Sequence, residues 1–377
     1  MPIKEFFKEF RKNKGVLTLL VLLSIIFIMG IYAPLFASSK PILIFSEGQI
    51  YSPLLSSLFD VTFFTKKVDL FFNVLMIVLP IYLIFLGLLH KKKSWITLFF
   101  VFVQMIGFKV CMLNSFANFQ LLESKVHENK AYTFRPLIAQ THWQENAIDN
   151  HNRAFFQTVR VNGKSLWSSL FFGIRYSMAV AFGSTILAFS IGVFIGLMAG
   201  YFGKKIDFIL GRLIEVWESM PTLFVLLLMA ALSKSHEISF VILILALFSW
   251  TSIARIVRLE VLKQKSLPYV DVLKGFGFNP FLIIFKHILP SVSTTLLTLI
   301  PFAIVGAITY EAALSFLGIG DRQNCSIGLL IDEARRVYPM EPSLFWPPAL
   351  LLMAILVSLV LLGDLSKKII EHKEKVV

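Results

Sequence analysis

Tyr269, Asp271, Lys274, Gly277, His287, Leu289 and Pro290 lie in one polar stretch, YVDVLKGFGFNPFLIIFKHILP (269–290), between two apolar runs. No nucleophile–base pair or metal-ligand spacing runs through it, so the chemistry it suits is recognition rather than bond making. The spacing predicts a short helix over 269–276, ended by Gly277 in the left-handed conformation that only glycine adopts without steric cost. Asn279-Pro280 breaks the chain again and a second helix follows over 281–289. Pro290 falls at the start of the next helix, where a missing amide proton is no loss. Lys263, Lys265, Lys274 and Lys286 give the stretch a positive rim. A loop this basic and this patterned reads as a rigid handle for an acidic soluble partner or for lipid headgroups.

Other candidates are sparser. Glu311, with Ser315 and Gly318 close by, sits near the outer end of an apolar run. Ionisable groups there are commonly functional or paired, which makes these three a candidate outer gate or subunit-packing group; the alternative is a solvated, snorkelling carboxylate. Asp69 and Lys109 fall at the outer edges of their runs, where water reaches them. Gly163-Lys164-Ser165 mimics the end of a phosphate-binding loop, but Thr158 replaces the first required glycine and no strand precedes it. The seven histidines are scattered, and Cys111 and Cys325 have no motif spacing, so neither a metal site nor a disulfide is expected. No catalytic residue and no bound cofactor are expected.

The elements that must position these residues are membrane spans. The chain is 377 residues long, 56% hydrophobic, with mean hydropathy +0.76. Apolar runs of roughly 20 residues recur, each long enough for a hydrocarbon core about 30 Å thick. They are continuous rather than alternating, which excludes a closed barrel. The expected fold is all-α: a polytopic membrane protein of about eight transmembrane helices, near 16–36, 70–89, 95–113, 173–200, 215–233, 238–256, 291–314 and 345–363. Residues 204–219 predict an amphipathic helix at the inner interface before the chain turns at Met220-Pro221. The polar, His/Asn-rich segment 114–165 separates an N-terminal region, 1–162, from a core, 163–377. The first apolar run reads as a retained span rather than a removed leader.

The net charge of +13 fits this topology. More than half of the 36 lysines and arginines fall on one side: the N-terminus, HKKK (90–93), 204–212, 255–286 and the tail. That bias places basic loops and both termini in the cytoplasm, and it displaces nucleic-acid binding as the explanation of the charge.

The handle resembles the coupling loop of binding-protein-dependent ABC importers, with Asp271 at the acidic position, Val272 and Leu273 in place of two alanines, Gly277, and Ile288-Leu289-Pro290 as the ending. TYEAALSFLGIG (309–320) resembles a signature of the peptide/nickel subfamily, specifically the C-type permease subunit of oligopeptide and dipeptide systems. Ser326, Gly328, Glu333-Ala334-Arg335, Pro342, Pro348 and Leu362-Gly363-Asp364 follow in the same order. MAGYFG (198–203) and Gly173, Arg175 and Ser177 match upstream, and IEVWESMPTLF (214–224) is similar to the microcin C-type peptide uptake permease. The similarity covers about 163–366, covers 11–37 loosely, and omits 38–160. The family's Gly-Thr-Asp stretch reads TVRVNGKS here.

The resemblance implies a type I ABC importer permease core in a bacterial cytoplasmic (inner) membrane. It implies a homologous B-type permease as partner, two cytoplasmic ABC ATPases that carry ATP-Mg, an extracytoplasmic peptide-binding protein, and a non-catalytic role for this chain. Its cargo would be oligopeptides or dipeptides, moving between the permeases along spans 173–200, 215–256 and 291–314. The rivals are an ion-coupled secondary transporter acting alone, which needs acidic residues buried in its spans, and a membrane scaffold, for which the handle would be incidental.

Overall fold

The computed structural model describes residues 6, 9–10, 13–46, 49–60, 63–88, 93–113, 132–143, 157–232, 237–317 and 325–374. Helices dominate: α1 (Lys14–Ile31), α2 (Lys67–Leu88), α3 (Lys93–Leu113), α4 (Leu166–Phe202), α5 (Lys204–Glu218), α6 (Thr222–Leu232), α7 (Ile238–Lys265), α8 (Pro268–Gly275), α9 (Leu289–Phe316), α10 (Ile327–Val337) and α11 (Trp346–Glu374). They gather into two compact units, one of Met1–Ser24, Ser177–Arg322 and Leu350–Val377, the other of Ile25–Tyr176 and Gln323–Ala349.

The all-α polytopic membrane fold expected from hydropathy is present, with two corrections. Among the described residues six helical stretches, rather than about eight, are long and apolar enough to cross a membrane: Lys14–Ile31, Lys67–Leu86, Leu166–Phe202, Ile238–Lys265, Pro280–Phe316 and Pro342–Glu371. The apolar part of α3, Trp95–Cys111, is shorter, about 25 Å at 1.5 Å per residue. The stretch expected to span at 215–233 is split. Ser219 ends α5 and Pro221 cannot donate the next helical hydrogen bond, so α6 starts afresh at Thr222. Its 11 described residues cover about 16 Å.

The second correction is a small antiparallel sheet, order β2-β1-β3, formed by β1 (Leu43–Ser46), β2 (Gln49–Tyr51) and β3 (Tyr132–Phe134). Ile44 faces Tyr51 on one side and Thr133 on the other. The sheet ties the segment after α1 to the polar segment at 114–165, through β1 and β2 on one side and β3 on the other. In the same unit α2 and α3 form a hairpin, held where Gln104 Nε2 donates to the Phe71 carbonyl at 2.8 Å.

In the other unit α4 and α7 lie very close along a stripe of glycines. A methyl group at Gly192 or Gly196 would come within 2.6 Å of the Trp250 or Ala254 carbonyl oxygen, and one at Gly200 within 2.7 Å of Val261. Glycine every fourth residue lets two backbones approach in lipid, where packing rather than water drives association. The pairs rise together along both helices, so α4 and α7 run parallel. Around this seam lies the core: Leu197, Tyr201, Ile214, Trp250, Val257 and Val261, with Val270, Ile283, Ile284 and Ile288 from the loop after α7.

Candidate functional site

That loop is the predicted handle. Helix α8 begins with Pro268 at its first position, carries Asp271 in its first turn and Lys274 in its last, and so matches the helix dipole at both ends. The two side chains also pair with each other at 2.9 Å. The helix ends in a Schellman motif: Gly277 N–H donates to the Lys274 carbonyl at 2.9 Å and Phe278 N–H to the Leu273 carbonyl at 3.2 Å. Gly277 has φ +74°, the left-handed value expected of it. Asn279 caps the next helical turn, its Oδ1 accepting from Phe281 N–H at 2.9 Å.

The second helix differs from expectation in one respect. Residues Ile283–Ile288 form a widened turn with i→i+5 hydrogen bonds, closed by Leu289 N–H on the Ile284 carbonyl. It runs without a break into α9, so Pro290 sits inside one long helical path rather than at a fresh start. A prolyl ring clashes with the carbonyl four residues back, and a wider turn relieves that clash.

Burial separates the handle's two faces. Val270, Ile283, Ile284 and Ile288 are fully buried, and Tyr269, Leu273 and Leu289 pack against the same core. The opposite face is apolar and uncovered: Phe276 is 78% exposed, and Val272, Phe278, Phe281 and Phe285 are exposed as well. Of the remaining site residues, Tyr269 donates to Gln264 Oε1 at 3.4 Å and the His287 carbonyl accepts from Ser291 at 3.2 Å. The sequence directs attention to the lysines, whereas the structure leaves a group of phenylalanines exposed beside them. Lys274 is already engaged by Asp271.

The same unit holds a cleft of about 280 Å³ between α5–α6, α7 and α9. Its lining includes Thr222, Ser249, Thr251, Ser252 and Tyr310, the rings of Trp217, Phe248 and Phe302, and Glu218. Glu218 pairs with Arg255 of α7. Glu215 is exposed and paired with Arg212 at 2.6 Å on its own helix. At the other end of α5, Asp207 is bonded by Arg258 through Nε and, at 2.8 Å, Nη2. Those hydrogen bonds hold the Asp207 carboxyl below the usual carboxylate range.

Glu311 is buried rather than snorkelling. Ser315 donates to its Oε1 at 2.8 Å and Ser177 of α4 lies 3.3 Å from its Oε2. Gly318 lies outside the described residues.

Asp69 is also buried, not washed by water. It faces Arg175 at 3.5 Å, and Arg175 is fully enclosed: it donates to Asn73 Oδ1 at 2.9 Å and to the Gly30 and Ile31 carbonyls at 2.8 and 2.7 Å. Those carbonyls close α1, so a guanidinium satisfies the orphan acceptors at the negative end of that helix. Arg160, within the TVRVNGKS stretch, grips Glu333 of α10 at 2.6 and 2.9 Å and touches Ser169 and Cys325 Sγ. Gly163, at φ +77°, forms a tight turn closed by Arg160 N–H on the Lys164 carbonyl at 2.7 Å. Gly163-Lys164-Ser165 thus closes a hairpin turn, with an antiparallel bridge between Val159 and Ser165, and leads directly into α4. Both cysteines are free thiols, and no group of metal-ligand side chains occurs among the described residues.

Comparison with known proteins agrees with the elements that carry the handle. A family profile described as "Binding-protein-dependent transport system inner membrane component" matches residues 192–376. A second, "N-terminal TM domain of oligopeptide transport permease C", matches residues 2–53, which extends the likeness past residue 37 into the sheet. The chain is 34% identical over 203 residues to the dipeptide transport system permease protein DppC of Lactococcus lactis subsp. cremoris, covering 54% of this chain and 59% of that one. It is 37% identical over 158 residues to the peptidoglycan transport system permease protein YejE of Agrobacterium fabrum, covering 42% and 41%. Over 254 residues it is 28% identical to the glutathione transport system permease protein GsiD of Pectobacterium atrosepticum, covering 63% and 84%. The matched stretch thus spans 59% and 41% of the length of the first two of these relatives.

Proposed function

Because this chain belongs to the family of binding-protein-dependent transport system inner membrane components, within its ABC peptide importer permeases, we propose that it is the C-type permease subunit of an ATP-driven importer of oligopeptides or dipeptides. The observation that carries the reading is the handle: a short helix locked by a Schellman turn, anchored by Val270, Ile283, Ile284 and Ile288, with an apolar tip left uncovered. An uncovered aromatic face on a rigid mount suits a partner pocket.

In this reading a B-type permease completes the path, two cytoplasmic ATPases holding ATP-Mg grip the handles, and an extracytoplasmic protein delivers peptide. This chain hydrolyses nothing itself. ATP binding draws the handles together and shifts the spans between inward- and outward-open states, because the closed ATPase dimer binds one state better than the other. Peptide passes along the cleft, whose mixed lining of serine, threonine and tyrosine beside aromatic rings suits a peptide whatever its side chains. The membrane would be a bacterial cytoplasmic membrane with both termini inside. The ion-coupled rival finds no support in Asp69 and Glu311, the acids buried within the described candidate spans: Asp69 is neutralised by Arg175, Glu311 is held by two serines, and neither lines the cleft.

Reconstitution with the ATPases, second permease and binding protein that co-purify tests the reading. Peptide-loaded binding protein should raise ATP hydrolysis, and labelled trialanine should accumulate only with ATP. Accumulation by this chain alone, without hydrolysis, would sink the proposal. Gly277→Val forces a β-branched side chain into the left-handed region. Membrane insertion should be normal and uptake lost.

A further inference from the structure

Two charge pairs bind both ends of α5 to a single turn of α7. Asp207, near the start of α5, takes two hydrogen bonds from Arg258, and Glu218, at its end, pairs with Arg255. Along α5 the two acids are roughly 16 Å apart, whereas the arginines are separated by only about 4.5 Å along α7. The arginines must therefore reach in opposite directions, so α5 crosses α7 and cannot slide or pivot without breaking one pair. Between the pairs, Ile214 is buried in the shared core and Trp217 stacks near Phe248 and Trp250, at 5.5 and 6.2 Å between ring centres.

What lies at either end of this crossing gives it a use. Past Arg258, α7 runs through Lys265 directly into Pro268 and the handle. Past Glu218, α5 turns at Pro221 into α6, and Glu218 and Thr222 both line the cleft. Side chains of these pairs are a fifth to a half exposed. Pairs so placed add little to stability, but they fix the angle between two helices.

We propose that the Asp207–Arg258 and Glu218–Arg255 pairs are positioning straps, which carry movement of the handle along α7 into α5 and thereby re-set the wall of the cleft. The inference rests on the importer reading above. It adds that coupling reaches the cleft through α5 and does not end where α7 meets the handle. The shift is a shear between packed helices, with α5 obliged to follow α7.

The experiment uses the full chain with its co-purifying permease, ATPases and binding protein in proteoliposomes. Uptake of labelled trialanine and of a mixed pentapeptide pool is measured together with ATP hydrolysis. Arg258→Asp should lower peptide moved per ATP hydrolysed about tenfold, a coupling loss of ordinary size, while hydrolysis continues. The swap Asp207→Arg with Arg258→Asp should recover at least half of it. Arg255→Gln should show the same split between uptake and hydrolysis. Unchanged uptake per ATP in Arg258→Asp at equal membrane incorporation overturns the straps. So does a parallel loss of uptake and hydrolysis that the swap does not repair, since that marks a merely structural role. A wild-type complex that hydrolyses ATP but imports no peptide overturns the importer reading itself, and the straps with it.

Discussion

At the handle, Asp271 and Lys274 form an exposed pair at 2.9 Å beside a tip of uncovered phenylalanines. Around Arg175, in the other compact unit, no face of the guanidinium is open: Asp69, Asn73, two helix-end carbonyls and the rings of Phe72 and Phe172 surround it. An exposed pair in water is worth about 0–1 kcal/mol, whereas removing one partner of a buried pair costs about 3–5 kcal/mol. The first arrangement can be made and unmade with a partner. The second is a permanent tie joining the end of α1, the start of α2 and the start of α4.

The sharpest way to break that contrast is at Arg175. Arg175→Met leaves Asp69 buried without its cation and two helix-end carbonyls without donors, and should lower unfolding stability by about 3–5 kcal/mol. Arg175→Lys should recover part of this, since one ammonium cannot serve Gly30, Ile31, Asn73 and Asp69 at once. Thermal melts in lipid nanodiscs check both. A melt unchanged by Arg175→Met would mean the cluster is incidental.

Next in size is the glycine seam of α4, where close packing rather than charge joins two helices. Gly196→Val should cost about 1–3 kcal/mol or more, because its side chain meets the Ala254 carbonyl and Val257 at 2.6 Å. Gly211, which has nothing within 4 Å, should accept alanine with no loss and is the control.

His142 gives a smaller, pH-dependent effect in the unit that holds Arg175. It lies 4.0 Å from Asp69, against Trp143 and Phe172, and its Nδ1 has no hydrogen-bond partner among the described residues. Burial, helped by Arg160, Arg175, Lys164 and Lys66, pushes its pKa well below the ordinary 6.5. Below that value the unfolded chain binds a proton that the folded one refuses, so stability is fully present above about pH 6.5 and falls as pH drops beneath it. The slope is at most about 1.4 kcal/mol per pH unit. Melts at pH 7.5 and 5.5 should differ accordingly, and His142→Phe should flatten this part of the profile.

The two regions were unequally legible in the sequence. The handle could be read because Gly277, Asn279 and Pro280 each carry a conformational demand of their own, which composition elsewhere cannot mask. Arg175 was placed only by resemblance, since its partners lie at Gly30, Ile31, Asp69 and Asn73, and no local pattern links positions so distant. For the same reason Asp69 and Glu311 were assigned to water or left open. The strands Leu43–Ser46, Gln49–Tyr51 and Tyr132–Phe134 are too short for a period of two to register beside long apolar helices. Hydropathy ran 215–233 together as one span because apolar residues lie on both sides of Pro221, and average polarity does not register a missing amide donor. Gly192, Gly196 and Gly200, by contrast, stood in plain view at four-residue spacing, and that spacing was the signal to use.

The smallest expected change in stability, and the one that bears most on the handle, is at Phe276. Its side chain is 78% exposed, so Phe276→Ala should leave the melt within about 0.5 kcal/mol of wild type. If the tip is a docking knob, the same change should weaken association with the ATPases about tenfold, the scale of one aromatic anchor. That loss should persist at high salt. Lys274→Ala, by contrast, should weaken binding only at low ionic strength, where an exposed charge is not yet screened. Binding measured by titration of the purified permease with its ATPase therefore separates a handle gripped by apolar contact from one held by its lysines. An unchanged affinity in Phe276→Ala with a strong effect of Lys274→Ala would return the recognition to charge.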